Sequence, residues 1–150
     1  KVIRLNDDGS VKNFVMNDKC AAGTGRFLEM MAKTMEMSLD ELSKVGLSYQ
    51  EDITISSMCT VFAESEVVSL IAQNKATDDI VHGLNKAVAA KTASLVKRVG
   101  GEEAYMMTGG VAQNQGLVRT LEERLGTKLV ISDKSQLCGA LGAALFAAEM

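Results

Sequence analysis

One stretch decides the fold class: residues 104–131 read AYMMTGGVAQNQGLVRTLEERLGTKLVI. The apolar and aromatic start of this stretch predicts a buried strand, and Thr108-Gly109-Gly110 then predicts a tight turn. The spacing of apolar residues predicts a helix over about 114–125, and the stretch ends in a second predicted strand over 128–131. A strand, a helix and a strand in this order indicate an α/β domain.

The remainder of the chain predicts a β-hairpin, further helices and one brief strand. The hairpin strands are predicted at 2–5 and 11–16, and the brief strand at Ile53-Thr54-Ile55. Helices are predicted to about Met35 after Gly25, over 38–45 behind a capping box, from about 60 to 73, over 77–99 and over 137–150. The sequence therefore predicts one α/β domain with a mixed sheet and flanking helices.

Composition excludes several classes of function. The 150 residues suit one domain, and the net charge of −3 with 4% aromatic residues gives no basic surface or stacking platform for nucleic acid. No apolar run reaches the roughly 20 residues of a membrane span, and no signal peptide precedes the first predicted strand. Three cysteines, an odd number, favour a reducing cytoplasmic setting over a disulfide scaffold.

Two cysteines occupy equivalent places in the predicted structure. Cys20 and Cys59 each lie at or just before the first turn of a predicted helix, where free N–H groups and a partial positive charge stabilise a thiolate. An iron–sulfur cluster bound by thiolates is such an anionic centre, but a cluster that needs four ligands requires two plus two from a symmetric dimer. The residues alone leave open that both are merely small residues at helix starts. Cys138 is predicted to be buried and structural.

Other residues have weaker signals. Gly109-Gly110 allows close approach of a nucleoside to the backbone before a helix N-terminus, although an ordinary strand–helix turn has the same pattern. His82, the only histidine, is predicted to have a surface or structural role. Glu64 and Glu66 are predicted to complement the helix N-terminus or to lie on a solvated face. A solvated position is also predicted for Lys19 and Arg26, with contacts near a cluster or to a partner protein as the alternative.

Four segments carry a resemblance to a known family. Residues 17–29, NDKCAAGTGRFLE, closely resemble the cluster-binding segment of activators of 2-hydroxyacyl-CoA dehydratases, a group that includes the ATPase subunits of benzoyl-CoA reductases. Residues 56–67, SSMCTVFAESEV, are similar to the second cysteine site of that family. Residues 107–114, MTGGVAQN, resemble its adenosine motif, and 139–144, GALGAA, its C-terminal helix.

This resemblance implies a fold, cofactors and partners. The fold would be a ribonuclease-H-like lobe of the actin–sugar kinase–Hsp70 ATPase superfamily. The family works as a homodimer that shares one 4Fe-4S cluster, and ATP with Mg²⁺ drives electron transfer from a donor such as ferredoxin or flavodoxin to a partner dehydratase or reductase. The resemblance assigns Cys20 and Cys59 to the cluster. It assigns Gly109, Gly110, Val111 and Asn114 to the nucleotide.

The resemblance also implies missing parts. The family has a phosphate loop near its N-terminus and an Asp-Gly-Gly phosphate segment shortly before the hairpin, and neither is found in this sequence, which begins with Lys1. We therefore expect a C-terminal ATPase lobe without the N-terminal phosphate-binding lobe, and ATPase activity from the full-length protein only. Two alternatives remain: a small-molecule kinase or plain ATPase of the same superfamily with structural cysteines, and a non-enzymatic binding fragment.

Overall fold

The computed structural model describes residues 1–16, 23–56 and 59–149, which form a hairpin, a helical core and a β–α–β unit. The strands are β1 (Val2–Leu5), β2 (Val11–Val15), β3 (Tyr105–Met106) and β4 (Leu129–Val130). The helices are α1 (Thr24–Thr34), α2 (Leu39–Val45), α3 (Thr60–Ala72), α4 (Thr77–Val99), α5 (Gln115–Leu125) and α6 (Cys138–Ala148). Short 3-10 helices cover Gly110–Gln113 and Ser135–Leu137.

The described strands pair both antiparallel and in parallel, but the two kinds of pair lie in separate sheets and not in the single mixed sheet that was predicted. β1 pairs antiparallel with β2, with Val2 opposite Val15 and a bulge between Arg4 and Leu5. β3 pairs in parallel with β4 through Tyr105 opposite Leu129 and Met106 opposite Val130. Within the described ranges these are two separate two-stranded sheets. The stretch 104–131 thus folds as the β–α–β unit that its sequence predicts, but the prediction that its first strand is buried is wrong, because Met106 is 59% exposed.

The central element is α4, which packs against α2, α3, α5 and the hairpin. Its Ile80, Val81 and Leu84 have no exposed surface. The apolar stripe predicted for α1 is confirmed, because Phe27, Leu28, Met31 and Ala32 are all buried in the same core. The bounds of α4 follow from its sequence: acidic residues stand in its first turn, and Gly100, with φ of 92°, follows its last residue.

The capping box predicted for α2 is also present. The Glu41 N–H donates to Ser38 Oγ at 3.2 Å, and the Ser38 N–H donates to Glu41 Oε2 at 2.7 Å. These two hydrogen bonds satisfy N–H groups that the helix itself leaves without partners. The start of α2 is therefore set by its local sequence.

The prediction of a strand at Ile53-Thr54-Ile55 is wrong. Ile53 and Ile55 are buried as the alternating pattern requires, but the segment is irregular backbone. It lies across α4, where a Cβ added to Gly83 would be only 3.0 Å from the Ile53 carbonyl oxygen. The alternating apolar residues, Ile53 and Ile55, pack this segment against α4, and the segment does not pair with any described strand.

The C-terminal helix α6 is apolar but uncovered. None of its residues is buried, and Leu141, Leu145 and Phe146 are 57%, 58% and 75% exposed. The prediction that Cys138 is buried is consequently wrong: it is half-exposed at the start of α6, because no described element covers this helix. No described helix combines the length and the apolar character that crossing a bilayer requires.

His82 has a structural role, as predicted, inside the core rather than at the surface. Its ring stacks on Tyr49 with the centroids 3.4 Å apart, and its Nε2 lies 3.8 Å from Asp52 Oδ1. Burial holds the pKa of His82 below its ordinary value, against the opposing effect of Asp52. Lys86, which is paired with Asp52, reinforces the shift, and Glu123 and Asp79 oppose it.

We expect the free energy of unfolding to decrease as the pH falls through about 6.5, the ordinary pKa of histidine. The folded state has the lower histidine pKa, so the unfolded state binds the proton more readily and gains stability on acidification. Urea unfolding at several pH values between about 8 and 5 measures the effect. His82→Phe keeps a ring against Tyr49 and should flatten the dependence in this range. An unchanged dependence in that variant would assign it to another group.

Candidate functional site

The turn after β3 is built around two glycines, Gly109 with open space beside it and Gly110, where an added Cβ would lie 3.6 Å from Gln136 Nε2. Gly109 has φ of 89°, a left-handed conformation that favours glycine, and its N–H donates to the Ser135 carbonyl at 2.7 Å. Apart from Gly109 itself and its two chain neighbours, no described residue has a heavy atom within 4 Å of the place where a Gly109 Cβ would be. Gly110 is exposed and begins the short 3-10 helix. The turn therefore presents accessible backbone to a ligand.

Asn114 and Val111 hold this turn to the body of the protein. Asn114 is buried, and its Oδ1 accepts a hydrogen bond from the Leu117 N–H at 2.9 Å, which caps α5. Val111 is half-buried and packs against the main core. The structure thus brings all four predicted nucleotide residues into one turn, in which the glycines provide access and the other two provide anchoring. The 3-10 helix itself was not predicted, because a Gly-Gly turn has no periodic signal.

Cys59 is the N-cap residue of α3. Its side chain is half-buried, and its carbonyl accepts the Ala63 N–H at 2.9 Å as the first bond of the helix. The first turn of α3 contains no acidic residue, whereas α2 and α4 each have two. The positive end of α3 is therefore left without a negative charge from its own first turn. A thiolate or an anionic group bound to it suits that position.

The other predicted cluster ligand, Cys20, lies outside the described residues. α1 follows it, with Gly23 as N-cap residue, no side-chain cap and no acidic residue in the first turn. Among the residues that the structure describes, no group of three or more His, Cys, Asp or Glu side chains forms a metal site. Of the two cysteines predicted to bind a cluster, the structure describes Cys59 alone, at a helix end whose chemistry fits an anionic group.

Two acidic residues, Asp79 and Glu66, make hydrogen bonds to distant backbone that sequence reasoning did not predict. Asp79 accepts the N–H groups of Gln50 and Glu51 at 2.7 and 2.8 Å, and these bonds hold its pKa below the ordinary range. Glu66 accepts the Ser56 N–H at 3.1 Å and contacts the Ser56 hydroxyl. Both are long-range contacts that side-chain spacing in a sequence does not reveal.

The remaining charged candidates have ordinary partners. Glu64 accepts a hydrogen bond from Thr34 Oγ1 at 3.1 Å, so it links α3 to α1 and does not complement the helix N-terminus. Arg26 pairs with Glu29 at 2.9 Å on the exposed side of α1, which confirms a solvated position. Lys19 lies outside the described residues.

Comparison with known proteins places these features in one family. The BadF/BadG/BcrA/BcrD ATPase family matches residues 1–147. The 2-hydroxyisocaproyl-CoA dehydratase activator of Clostridioides difficile is 50% identical over 147 residues, which cover 98% of this chain and 55% of that protein. The (R)-2-hydroxyglutaryl-CoA dehydratase activating ATPase of Acidaminococcus fermentans is 48% identical over 98% of this chain and 56% of its own length.

A solved structure gives the same result for the fold. The activator of the 2-hydroxyisocaproyl-CoA dehydratase from Clostridium difficile, with bound ADPNP, superposes with a TM-score of 0.91 at 49% identity, over 97% of this chain and 54% of that one. This confirms the predicted actin-like ATPase fold. The chain spans about half the length of the curated relatives it matches. With a family match over nearly all its residues, the chain belongs to the BadF/BadG/BcrA/BcrD ATPase family.

Proposed function

We propose that the complete protein uses ATP to drive electron transfer through a 4Fe-4S cluster that two protomers share. The electron would activate a 2-hydroxyacyl-CoA dehydratase, or a related CoA-ester reductase, by one-electron reduction in an anaerobic cytoplasm. The observation that carries the proposal is Cys59 at the N-cap of α3, in a chain similar to dehydratase activators. When bound, the cluster supplies a centre that accepts one electron from a donor such as ferredoxin or flavodoxin and passes it on.

Cys20 and Cys59 are the proposed cluster ligands. Their helices, α1 and α3, begin without acidic residues, so both N-termini favour a negatively charged neighbour. Two cysteines from each of two protomers complete the four ligands. Beside Cys59, Val61 and Phe62 are 63% and 66% exposed, and they offer apolar surface to the second protomer.

The turn at Gly109, Gly110, Val111 and Asn114 is the proposed site for the nucleoside of ATP or ADP. The open space at Gly109 and the exposed Gly110 allow close approach of a ligand to the backbone. A similar protein was solved with bound ADPNP. We further propose that an N-terminal lobe supplies the phosphate-binding segments and Mg²⁺, so that hydrolysis belongs to the complete protein.

Anaerobic iron and sulfide analysis of the complete protein, with a visible spectrum, tests this function. We expect about four irons per two protomers and a broad charge-transfer band. ADPNP binding is measured on the same sample. Iron-free, colourless protein that still binds ADPNP after reconstitution would favour the alternative, a small-molecule kinase or plain ATPase of this superfamily with structural cysteines.

A further inference from the structure

The segment before α3 is tied to the second turn of that same helix. Both carboxylate oxygens of Glu66 lie 3.1 Å from the Ser56 N–H nitrogen, and Ser56 Oγ lies 3.2 Å from Oε2 and 3.4 Å from Oε1. In the sequence, Ser56 precedes Cys59, the N-cap residue of α3, and Glu66 follows it. The hydrogen bonds therefore join two residues on opposite sides of Cys59.

The start of α2 shows what this pair of contacts ordinarily does. There Ser38 donates its N–H and its hydroxyl to Glu41 Oε2, both at 2.7 Å, and Ser38 is itself the N-cap residue. At α3 the same two serine groups bind a glutamate, but the serine lies ahead of the N-cap. Cys59 makes no side-chain cap hydrogen bond to the N–H groups of α3. The contacts that fix this helix start are thus displaced from the N-cap side chain.

Core packing holds both sides of the contact in place. Ile55, next to Ser56, is 4% exposed, and Val67, next to Glu66, has no exposed surface. Both side chains belong to the main core. The hydrogen bonds are therefore made between two backbone positions that are already fixed, and Glu66, which is half-buried, keeps Ser56 beside α3.

This contact limits the freedom of Cys59. Its carbonyl is fixed by the Ala63 N–H at 2.9 Å, while its own backbone is extended, with φ of −81° and ψ of 128°. Since the helix fixes the carbonyl side, the path of the preceding chain determines the freedom that remains. That path starts at Ser56, where Glu66 holds it.

We propose that Glu66 is a positioning residue for the cluster, because it fixes the entry of the chain into α3 and leaves the Cys59 side chain to serve as an iron ligand and not as a helix cap. The inference rests on the proposed cluster and adds a residue that holds one of its ligands. Residues behind metal ligands act in this way in many sites. The charge of Glu66 acts in the opposite direction, since a carboxylate repels an anionic cluster.

Two variants of Glu66 separate its reach from its charge, with anaerobic release of iron from the complete protein to a chelator as the measurement. Glu66→Asp keeps the charge but withdraws the carboxylate from Ser56 by one carbon–carbon bond, about 1.5 Å. We expect it to release iron about tenfold faster or more, the effect of losing a partner behind a metal ligand. Glu66→Gln loses the charge but keeps the length and an acceptor oxygen, so its rate should stay within about twofold of the wild type.

A matched control and a second measurement accompany these variants. Glu64→Asp makes the same change on the same helix, in a carboxylate that binds Thr34 Oγ1 at 3.1 Å, and should release iron at the wild-type rate. Hydrogen exchange of the Ser56 amide in the iron-free protein reports the contact directly. This amide should be protected in the wild type and in Glu66→Gln, and should exchange about tenfold faster or more in Glu66→Asp.

The outcomes separate this inference from the function beneath it. Release at the wild-type rate from Glu66→Asp, or equally fast release from Glu66→Gln and Glu66→Asp, would overturn the positioning role. The same acceleration in Glu64→Asp would also overturn it, because any shortened carboxylate on α3 would then have this effect. An unprotected Ser56 amide in the wild type would remove the contact itself. A wild type that binds no iron would overturn the proposed cluster, and this role of Glu66 with it.

Discussion

Cys59→Ser should abolish cluster binding by the complete protein. A serine hydroxyl is a far weaker ligand for iron than a thiolate, and each shared cluster would lose two of its four ligands, one from each protomer. We expect iron content near zero and loss of the charge-transfer band. The N-cap position itself should tolerate the change, because serine is a preferred N-cap residue. The variant should therefore fold and still bind ADPNP.

Cys138→Ser is the matched control for this prediction. Cys138 is a half-exposed residue at the start of α6, with Sγ 3.6 Å from the Lys134 carbonyl, and no described feature gives it a role in the cluster. Its variant should retain wild-type iron and the wild-type spectrum. Full iron in Cys59→Ser would remove this residue from the ligand set. Equal loss in both variants would point to general instability of the cluster.

Leu84→Ala should lower the free energy of unfolding by about 2–5 kcal/mol. Leu84 has no exposed surface and lies in α4, the helix on which most other elements pack. Truncation removes apolar contacts and leaves a cavity that a close-packed interior fills only in part. Against a total stability of about 5–15 kcal/mol for a typical domain, this loss is a large fraction of the free energy of unfolding.

Denaturant unfolding measures this effect, with Leu39→Ala as control. Leu39 begins α2 and is 47% exposed, so the same chemical change there should alter the free energy of unfolding by at most about 0.5 kcal/mol. A cost for Leu84→Ala close to that of the control would mean that the interior around α4 is not packed as described.

Local signals in the sequence predicted most of the helices. The bounds of α4 follow from acidic residues at its start and Gly100 at its end, and α2 begins at the capping box of Ser38 and Glu41. These predictions hold because caps and apolar periodicity act within a few residues. The strand–helix–strand order of 104–131 was predictable for the same reason.

Contacts between distant segments could not be predicted in this way. Ile53 and Ile55 alternate as a strand would, yet their segment lies across α4 because of the space at Gly83. The Thr34–Glu64 and Ser56–Glu66 hydrogen bonds depend on how helices meet, which no local pattern records. Of the candidate site, the structure describes Cys59 and the turn from Gly109 to Asn114. The nucleotide role of this turn and the ligand roles of Cys20 and Cys59 stay predictions.

The exposed apolar surface of α6 affects the association of the isolated 150 residues in solution. Leu141, Leu145 and Phe146 are each more than half exposed on a helix with no buried residue. Exposed apolar patches of this kind promote self-association of a protein as its concentration rises. Gel filtration of the isolated 150 residues therefore reports association through the exposed C-terminal helices as well as pairing through a shared cluster. Only pairing that survives Leu145→Glu and is lost with Cys59→Ser reports on a shared cluster.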